Sequence, residues 1–414
     1  MQEFNLGCKR LGVLSSALIV ACAQQQGSSA GEIPRTARTA SATSTAITIA
    51  DLTSRLHAYA DDSMMGREAG TTGNTTATAY LAAQAAEIGL EPAGDSGTYF
   101  QEIGTTSQRF AGNGPPGSAR NVIAILRGSD PVLRNEFVAI GAHNDHVGTR
   151  PSAVDHDSLR AYNLELHRAG APHWDRTVPA ERRAAARDAI RVNMDSLRRI
   201  RPARRDSIYN GADDDGSGTV TVLEIAEALA KTSVKPKRSI LFVWHTAEEK
   251  GLLGAKWFTD NPTVPREAIV AQLNMDMVGR GGAADIAGGG PDYLQLVGSR
   301  RLSTELGDIV EQVNSARSQP FKFDYALDAN AHPERIYCRS DHYMYARYGI
   351  PVTFFTTGLH ADYHQVTDEV QYIDFDHMMR VGELVRDVAI RIANLGHRPR
   401  VDKPVGDPSA ACVQ

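Results

Sequence analysis
Cysteine is scarce in this chain: 414 residues hold four, at positions 8, 22, 338 and 412, with no Cys-x-x-Cys spacing among them. That excludes a disulfide-stapled miniprotein and argues against a cysteine metal site. An excess of one charge sign is also missing, with 44 Lys and Arg against 49 Asp and Glu and a net charge of −5. Nothing in that balance marks a nucleic-acid or heparin binder. No apolar run is long enough to span a bilayer, so a polytopic membrane protein is excluded. Internal repeats and EF-hand spacing are absent too, and no Gly-x-Ser-x-Gly elbow follows a predicted strand, the one match (Gly27–Gly31) lying in a Ser-rich N-terminal stretch. This speaks against a solenoid, a calcium loop and a serine hydrolase. What remains, at 42% hydrophobic and 22% charged residues, is an ordinary globular composition. Its length suffices for one large α/β domain or two smaller ones.

The N-terminus sets the expected compartment. Lys9 and Arg10 precede Leu11–Ala21, an apolar run suited to a signal-peptide core. The run ends Ile19-Val20-Ala21-Cys22, which resembles the lipobox of bacterial lipoproteins. The resemblance implies that residues 1–21 are removed and that Cys22 carries the lipid, the only membrane contact. Ala23 in place of Asp resembles lipoproteins sent on to the outer membrane, so a periplasm-facing envelope protein is expected. A plain cleaved signal with Cys22 incidental is the alternative. Residues 22–46, rich in Gln, Ser, Thr and Ala, read as a flexible tether. An oxidising periplasm permits Cys338 and Cys412 to pair, but pairing and two separate thiols stay equally open.

Runs at Asn121–Leu126, Glu136–Ala142, Ser239–Trp244, Ile269–Met275, Tyr293–Val297 and Val352–Thr356 predict strands. They are continuously apolar, which suits strands covered on both faces. Helical stretches are predicted near Ile47 and Leu52, and over Thr72–Gly89, Thr219–Lys231, Leu252–Thr259, Arg301–Ala316 and Phe375–Asn394. Their alternation with the strands predicts a sheet with helices on both faces. Residues 149–208 depart from it, being rich in Arg, Asp and Ala and lacking strand runs. They read as a largely helical surface insertion whose charges form a solvated face, with a substrate- or partner-facing lid as the sharper alternative. The polar tail after His397 is expected to be loosely ordered.

Five segments carry candidate chemistry: GAHNDHVG (141–148), NGADDDGSG (210–218), HTAEEKGLLGA (245–255), NMDMVGR (274–280) and HADYHQVTDE (360–369). Each stands at or after a predicted strand or in a loop, and in an open α/β sheet the carboxyl ends of strands converge on one crevice. Their His, Asp and Glu residues suit zinc.

Taken together, these segments resemble the co-catalytic di-zinc exopeptidases. That group includes secreted bacterial leucyl aminopeptidases, glutamate carboxypeptidase, the catalytically dead transferrin receptor and glutaminyl cyclases. The resemblance covers roughly residues 47–395 apart from the insertion. It implies an α/β fold: a three-layer α/β/α sandwich around a mostly parallel mixed sheet, as one catalytic domain over 47–398, followed by a tail at 399–414. It also implies two zinc ions, with His143 and Asp276 as ligands of different metals, Asp214 as the bridge, and Glu249 and His364 partnered on one of them. Glu248 matches the general base, and Tyr363 matches the tyrosine whose hydroxyl stabilises the oxyanion, with a core tyrosine as its plainer reading. Asp145, two residues beyond His143, is expected to accept the other imidazole N–H. A bridging carboxylate would hold two divalent cations about 3.5–4 Å apart over a shared, acidified water.

His146, His245 and His342 read as supporting or packing residues, since the ligand set is complete without them. The segment from Ser340 to Pro351 resembles the group's pocket wall. The expected function is therefore removal of N-terminal residues from peptides by a zinc aminopeptidase, with no nucleic-acid partner. The alternatives are a one-zinc glutaminyl cyclase-like transferase and a non-catalytic envelope binding protein on the same scaffold.

Overall fold
Six apolar runs of the sequence become the strands that carry the molecule. The computed structural model describes residues 46–103, 119–175 and 177–414. The expected signal segment, Cys22 and the expected tether up to residue 45 lie outside them. The strands are β1 (Glu91–Pro92), β2 (Phe100–Glu102), β3 (Arg120–Leu126), β4 (Phe137–His143), β5 (Thr149–Asp155), β6 (Arg205–Ile208), β7 (Ser239–His245), β8 (Ile269–Met275), β9 (Tyr293–Val297), β10 (Lys322–Asp324) and β11 (Val352–Thr356). The helices are α1 (Ile49–Tyr59), α2 (Thr72–Ile88), α3 (His156–Arg168), α4 (Ala180–Ala189), α5 (Met194–Ile200), α6 (Gly218–Lys231), α7 (Leu253–Asp260), α8 (Thr304–Ser315), α9 (His342–Ala346) and α10 (Phe375–Ala393). The predicted strands fall within a residue of those observed, and α8 starts later than predicted because Ser303 caps it by accepting the Leu306 N–H. Gly89 ends α2 at φ +87°, a left-handed stop that a side chain would strain.

Among the described residues the main sheet runs β1-β3-β7-β4-β8-β11-β9-β10, with β2 also on β3. β7, β4, β8 and β11 are mutually parallel, while β3 and β9 pair antiparallel on either side of them. Alternation along each strand feeds two cores. Val138, Ile140, Phe242 and Trp244 face α1, α2, α6 and α10, whereas Phe137, Ala139, Leu241 and Val243 pack with Phe258 of α7 and Tyr345 of α9. Both faces are covered, which is why the strands read as unbroken apolar runs. This is the three-layer α/β arrangement expected. No helix among the described residues is long and apolar enough to cross a membrane.

Two expectations change. The 149–208 segment is not purely helical, because β5 and β6 pair antiparallel and close its base (Thr149 opposite Ile208). Neither strand is apolar enough to be read as one, since the ribbon stands on the surface with both faces partly wet. The helices α4 and α5 bury nothing, in keeping with a solvated charged face.

The C-terminal tail is tied down rather than loose. Cys412 forms a disulfide with Cys338, 74 residues away, with Cα atoms 5.8 Å apart. The Gln414 amide donates to Leu327 O (2.6 Å) and Ala329 O (3.1 Å) and accepts the Tyr337 N–H (3.0 Å). The 326–339 wall has little regular structure, so its backbone groups are free to take these bonds.

Candidate metal centre and cleft
The chain passes from β4 to β7 on one side and then to β8 on the other, which makes β4 a switch point with a crevice at the strands' carboxyl ends. His143 ends β4, Glu248 and Glu249 follow β7, Asp276 follows β8, and the 360–369 loop follows β11. Asp214 arrives on the turn before α6.

Three consecutive aspartates share that turn, and their hydrogen bonds separate their roles. Asp213 pairs with His360 Nε2 (3.1 Å) and accepts the Gly279 N–H (2.7 Å). Asp215 accepts the backbone N–H groups of His143 (3.0 Å), Gly218 (2.9 Å) and Met277 (3.2 Å). A Cβ on Gly218 would lie 2.4 Å from Asp215 Oδ1, so only glycine fits there. The backbone N–H groups of Asp213 and Asp214 both donate to Asp368. The Asp214 side chain alone is left facing the crevice, after a cis Asp214–Asp215 peptide.

Its two oxygens look in different directions. Oδ1 lies 3.2 Å from His143 Nε2, which is itself 3.6 Å from Asp276 Oδ1. Oδ2 lies 3.1 Å from His364 Nε2, which is 2.9 Å from Glu249 Oε2. The five predicted ligands thus form two groups that meet at Asp214. His143 and Asp276 share one of them instead of serving different metals as expected, because they stand at the carboxyl ends of the neighbouring strands β4 and β8. Asp215 joins the His143 cluster by distance, although its backbone bonds already occupy it.

The residues present fit divalent metal ions. His143 Nε2 and Asp214 Oδ2 are buried without a hydrogen-bonding partner, and four carboxylates converge in a space that water barely reaches. Imidazole with carboxylate is a donor set that zinc accepts. Against burial, which pushes it up, His364 and His146 hold the Glu249 carboxyl down to about 2. Burial, reinforced by Glu249 and Asp276, pushes Glu248 well above the carboxylate range.

Glu248 belongs to neither ligand group, yet it lines the same cavity of about 310 Å³. Asp145 supports it in a way that differs from expectation. Its carboxylate lies 3.8 Å from His143 Nδ1, too far to hydrogen-bond, and Oδ1 instead accepts the Glu248 N–H at 3.0 Å. The backbone carbonyl of Asp145 takes the His143 Nδ1–H at 3.0 Å, because the turn after β4 folds it back over the ring.

Tyr363 stacks on His364 with ring centroids 3.9 Å apart, and its hydroxyl accepts a hydrogen bond from Arg339 Nη2 (3.1 Å). It is therefore at the cleft rather than in the core. The cavity wall has an apolar part, made by Met277, Leu327, Ile336, Phe354 and Leu359, beside the polar Arg339, Ser340 and Thr356.

Three contributors have roles that the sequence reading left open or did not assign. His146 is buried with Nδ1 2.8 Å from Glu249 Oε1, inside the second ligand group rather than in packing alone. Its only sequence signal was its place in GAHNDHVG. Arg339 precedes the wall segment by one residue, and only its guanidinium's reach to Tyr363 gives it a role. Ser340 donates to Asp276 Oδ2 at 2.8 Å. The remaining candidates are supports: His245 sits between Tyr345 (2.9 Å) and Asp341 (3.2 Å), and burial drives His342, stacked on Phe354, down to about 3. A further group, His156 with Asp206 and Glu369, stands at the root of the insertion, where Arg204 Nη2 lies 2.8 Å from His156 Nε2 and supplies the positive charge.

Residues 173–389 match the family model described as Peptidase family M28. Leucine aminopeptidase 1 of Aspergillus fumigatus is 30% identical over 194 residues, which is 44% of this chain and 47% of that protein. The Penicillium rubens leucine aminopeptidase 1 is likewise 30% identical over 194 residues, with the same coverage. The chain spans about half the length of the curated relatives it matches. Solved structures of similar fold include the LapA aminopeptidase of Legionella pneumophila (TM-score 0.54, 17% identity, 85% of this chain and 71% of that one). A Porphyromonas gingivalis glutaminyl cyclase (0.53, 20%, 83% and 97%) and a Zn-dependent exopeptidase from Parabacteroides distasonis (0.51, 19%, 84% and 99%) are also similar.

Proposed function
This chain belongs to peptidase family M28, and on that premise we propose that it is a di-zinc aminopeptidase removing N-terminal residues from peptides. The observation that carries the reading is Asp214, whose two carboxylate oxygens face separate ligand groups while Glu248 stands free of both in the same cavity. His143 and Asp276 would hold one metal, Glu249 and His364 the other, and Asp214 both. Bound there, zinc supplies a Lewis acid that polarises the scissile carbonyl and lowers the pKa of water.

The chain's own groups do the rest. Glu248, buried among carboxylates that raise its proton affinity, takes a proton from the attacking water and delivers it to the leaving amine. Because the Tyr363 hydroxyl is an acceptor toward Arg339, its own hydrogen is free to donate to the oxygen that gains charge. The apolar wall suits an apolar N-terminal side chain. We also infer an envelope lipoprotein anchored through Cys22, supported by the lipobox resemblance; an unlipidated N-terminus beyond residue 22 in mass spectrometry would overturn it.

The test is hydrolysis of aminoacyl-nitroanilides beside N-blocked and C-terminal-glutamate peptides, with and without a chelator. Unblocked substrates are expected to be cleaved, and chelation to abolish cleavage. Cleavage of blocked peptides, or resistance to the chelator, would overturn the reading. One tightly held zinc with cyclisation of N-terminal glutaminyl peptides would identify a glutaminyl cyclase-like transferase instead.

A further inference from the structure
The insertion leaves the catalytic body after Gly148 and comes back to the cleft beyond α3, where it touches both of its banks. On one bank His173 Nε2 donates to the backbone carbonyl of Tyr363 at 2.8 Å. A carbonyl only accepts, so that nitrogen carries the hydrogen. Nearby, Arg160 of α3 reaches Asp362 Oδ2 at 3.2 Å; the same oxygen is 3.1 Å from Arg280 Nη2, and Oδ1 accepts the Thr367 hydroxyl at 2.7 Å. On the other bank the Asp175 carboxyl accepts from the Thr177 N–H (2.8 Å) and hydroxyl (2.6 Å) and stands beside the carboxyl of Glu334, an acceptor like itself. Glu334 accepts from Arg339 Nη1 at 2.9 Å, and Arg339 Nη2 donates to the Tyr363 hydroxyl at 3.1 Å. Tyr363 is thus held at two points, its carbonyl by His173 and its hydroxyl by Arg339.

We propose that the insertion is a clamp for the Tyr363 hydroxyl, with His173 as its positioning residue. Tyr363 stands in a loop without regular structure, and its neighbour His364 adopts φ +53°. Such a loop has no ladder of backbone bonds to fix it. A donor aimed at developing charge loses most of its effect when displaced by about an ångström. His173 holds the tyrosine by its backbone, while Arg339 holds its hydroxyl. His173 does not line the cavity. The Cys338–Cys412 disulfide stiffens the same wall one residue from Arg339. The proposal rests on the reading of Tyr363 as the oxyanion donor.

The experiment compares His173→Ala and His173→Gln, alone and with Tyr363→Phe, in the full chain loaded with zinc. His173→Ala is expected to lower kcat about 10- to 100-fold with KM within about threefold and zinc content unchanged. Gln, which still offers an N–H, is expected to restore most of the loss. In the Tyr363→Phe background His173→Ala is expected to change kcat by less than about twofold, because residues acting through one group are non-additive. Amide hydrogen exchange supplies a readout independent of turnover: His173→Ala is expected to speed exchange over 360–366. Unchanged exchange there would overturn the clamp, as would an undiminished kcat or an effect that adds fully to Tyr363→Phe. If the unsubstituted protein cleaves no peptide, the aminopeptidase reading fails and the exchange result alone decides the clamp. If His173→Ala does not fold, His173→Leu, which keeps bulk without the ring N–H, carries the same comparison, with exchange read over 360–366.

Discussion

Asp145 Oδ1 accepts the backbone N–H of Glu248 at 3.0 Å, while the carbonyl of the same residue lies 3.0 Å from His143 Nδ1. One residue thus fixes a metal-facing imidazole with its main chain and the base's peptide with its side chain. Asp145→Ala is expected to lower kcat/KM about 10- to 100-fold, since the Glu248 peptide loses its anchor. Asp145→Asn should lose much less, because an amide oxygen still accepts. Equal losses in steady-state kinetics would contradict the anchoring role.

Glu248 and Glu249 are neighbours in sequence with opposite expected phenotypes. Glu248→Gln should retain bound zinc and lose about 10²–10⁴ in kcat, as removal of a general base does. Glu249→Gln should lose zinc, because its carboxylate belongs to the His364 group. Metal analysis beside nitroanilide turnover separates them, and a fully active Glu248→Gln would refute the assigned roles.

His146 contacts Glu249 at 2.8 Å from a fully buried position. Its replacement by Phe should weaken zinc affinity about 10- to 100-fold, the usual cost of losing a group that orients a ligand. Competition with a graded chelator reads this directly; unchanged affinity would make His146 a packing residue.

These contacts show where the sequence was legible. His143, Asp214, Glu249, Asp276 and His364 each stand in a short segment at a strand end or on a sharp turn, where residue type and predicted strand make them candidates, while their ligand roles came from the family resemblance. The strands were legible because burial on both faces leaves no polar position to blur them. The role of His146 and that of Arg339 depend on partners 103 and 24 residues away. No local periodicity encodes such distances. Asp145 was expected to meet His143 through its carboxylate, but which of its oxygens does so is decided by the path of the turn. The β5–β6 ribbon was illegible for the converse reason: half-wet surface strands carry no apolar signature.

Glu224 gives a pH dependence away from the metal ligands. Burial, joined by Asp51 and Glu227, raises its carboxyl to about 7, because Arg55 is shared with Glu227 (2.5 Å) and offsets only part of the charge. The folded state therefore keeps a proton that the unfolded chain releases near pH 4.5. This contribution is complete below pH 4.5 and is lost as the pH rises through 7. Urea unfolding from pH 5 to 8 should show a stability decline that Glu224→Gln flattens. Identical slopes would refute it.

Cys412→Ser should cost about 2–4 kcal/mol of stability by releasing a long loop in the unfolded chain. Denaturant midpoints in oxidised wild type and variant measure it. The pocket wall at Leu327–Tyr337 should then exchange faster, since Gln414 is no longer delivered to it.

The paired ribbon at the foot of the insertion has an architectural consequence. Tyr209 donates its N–H to Gly148 O at 2.9 Å, so the chain departs from and returns to the catalytic body through a single doorway. That doorway stands between the histidine segment and the aspartate turn, the two pieces whose spacing the metals require. A module rooted this way is exchangeable: another hairpin, shorter or longer, can be spliced across Gly148 and Tyr209 while the ligands keep their places. What such a splice removes is the grip on the rim of the cleft, so that the catalytic body and its accessory are separable units of inheritance and of engineering.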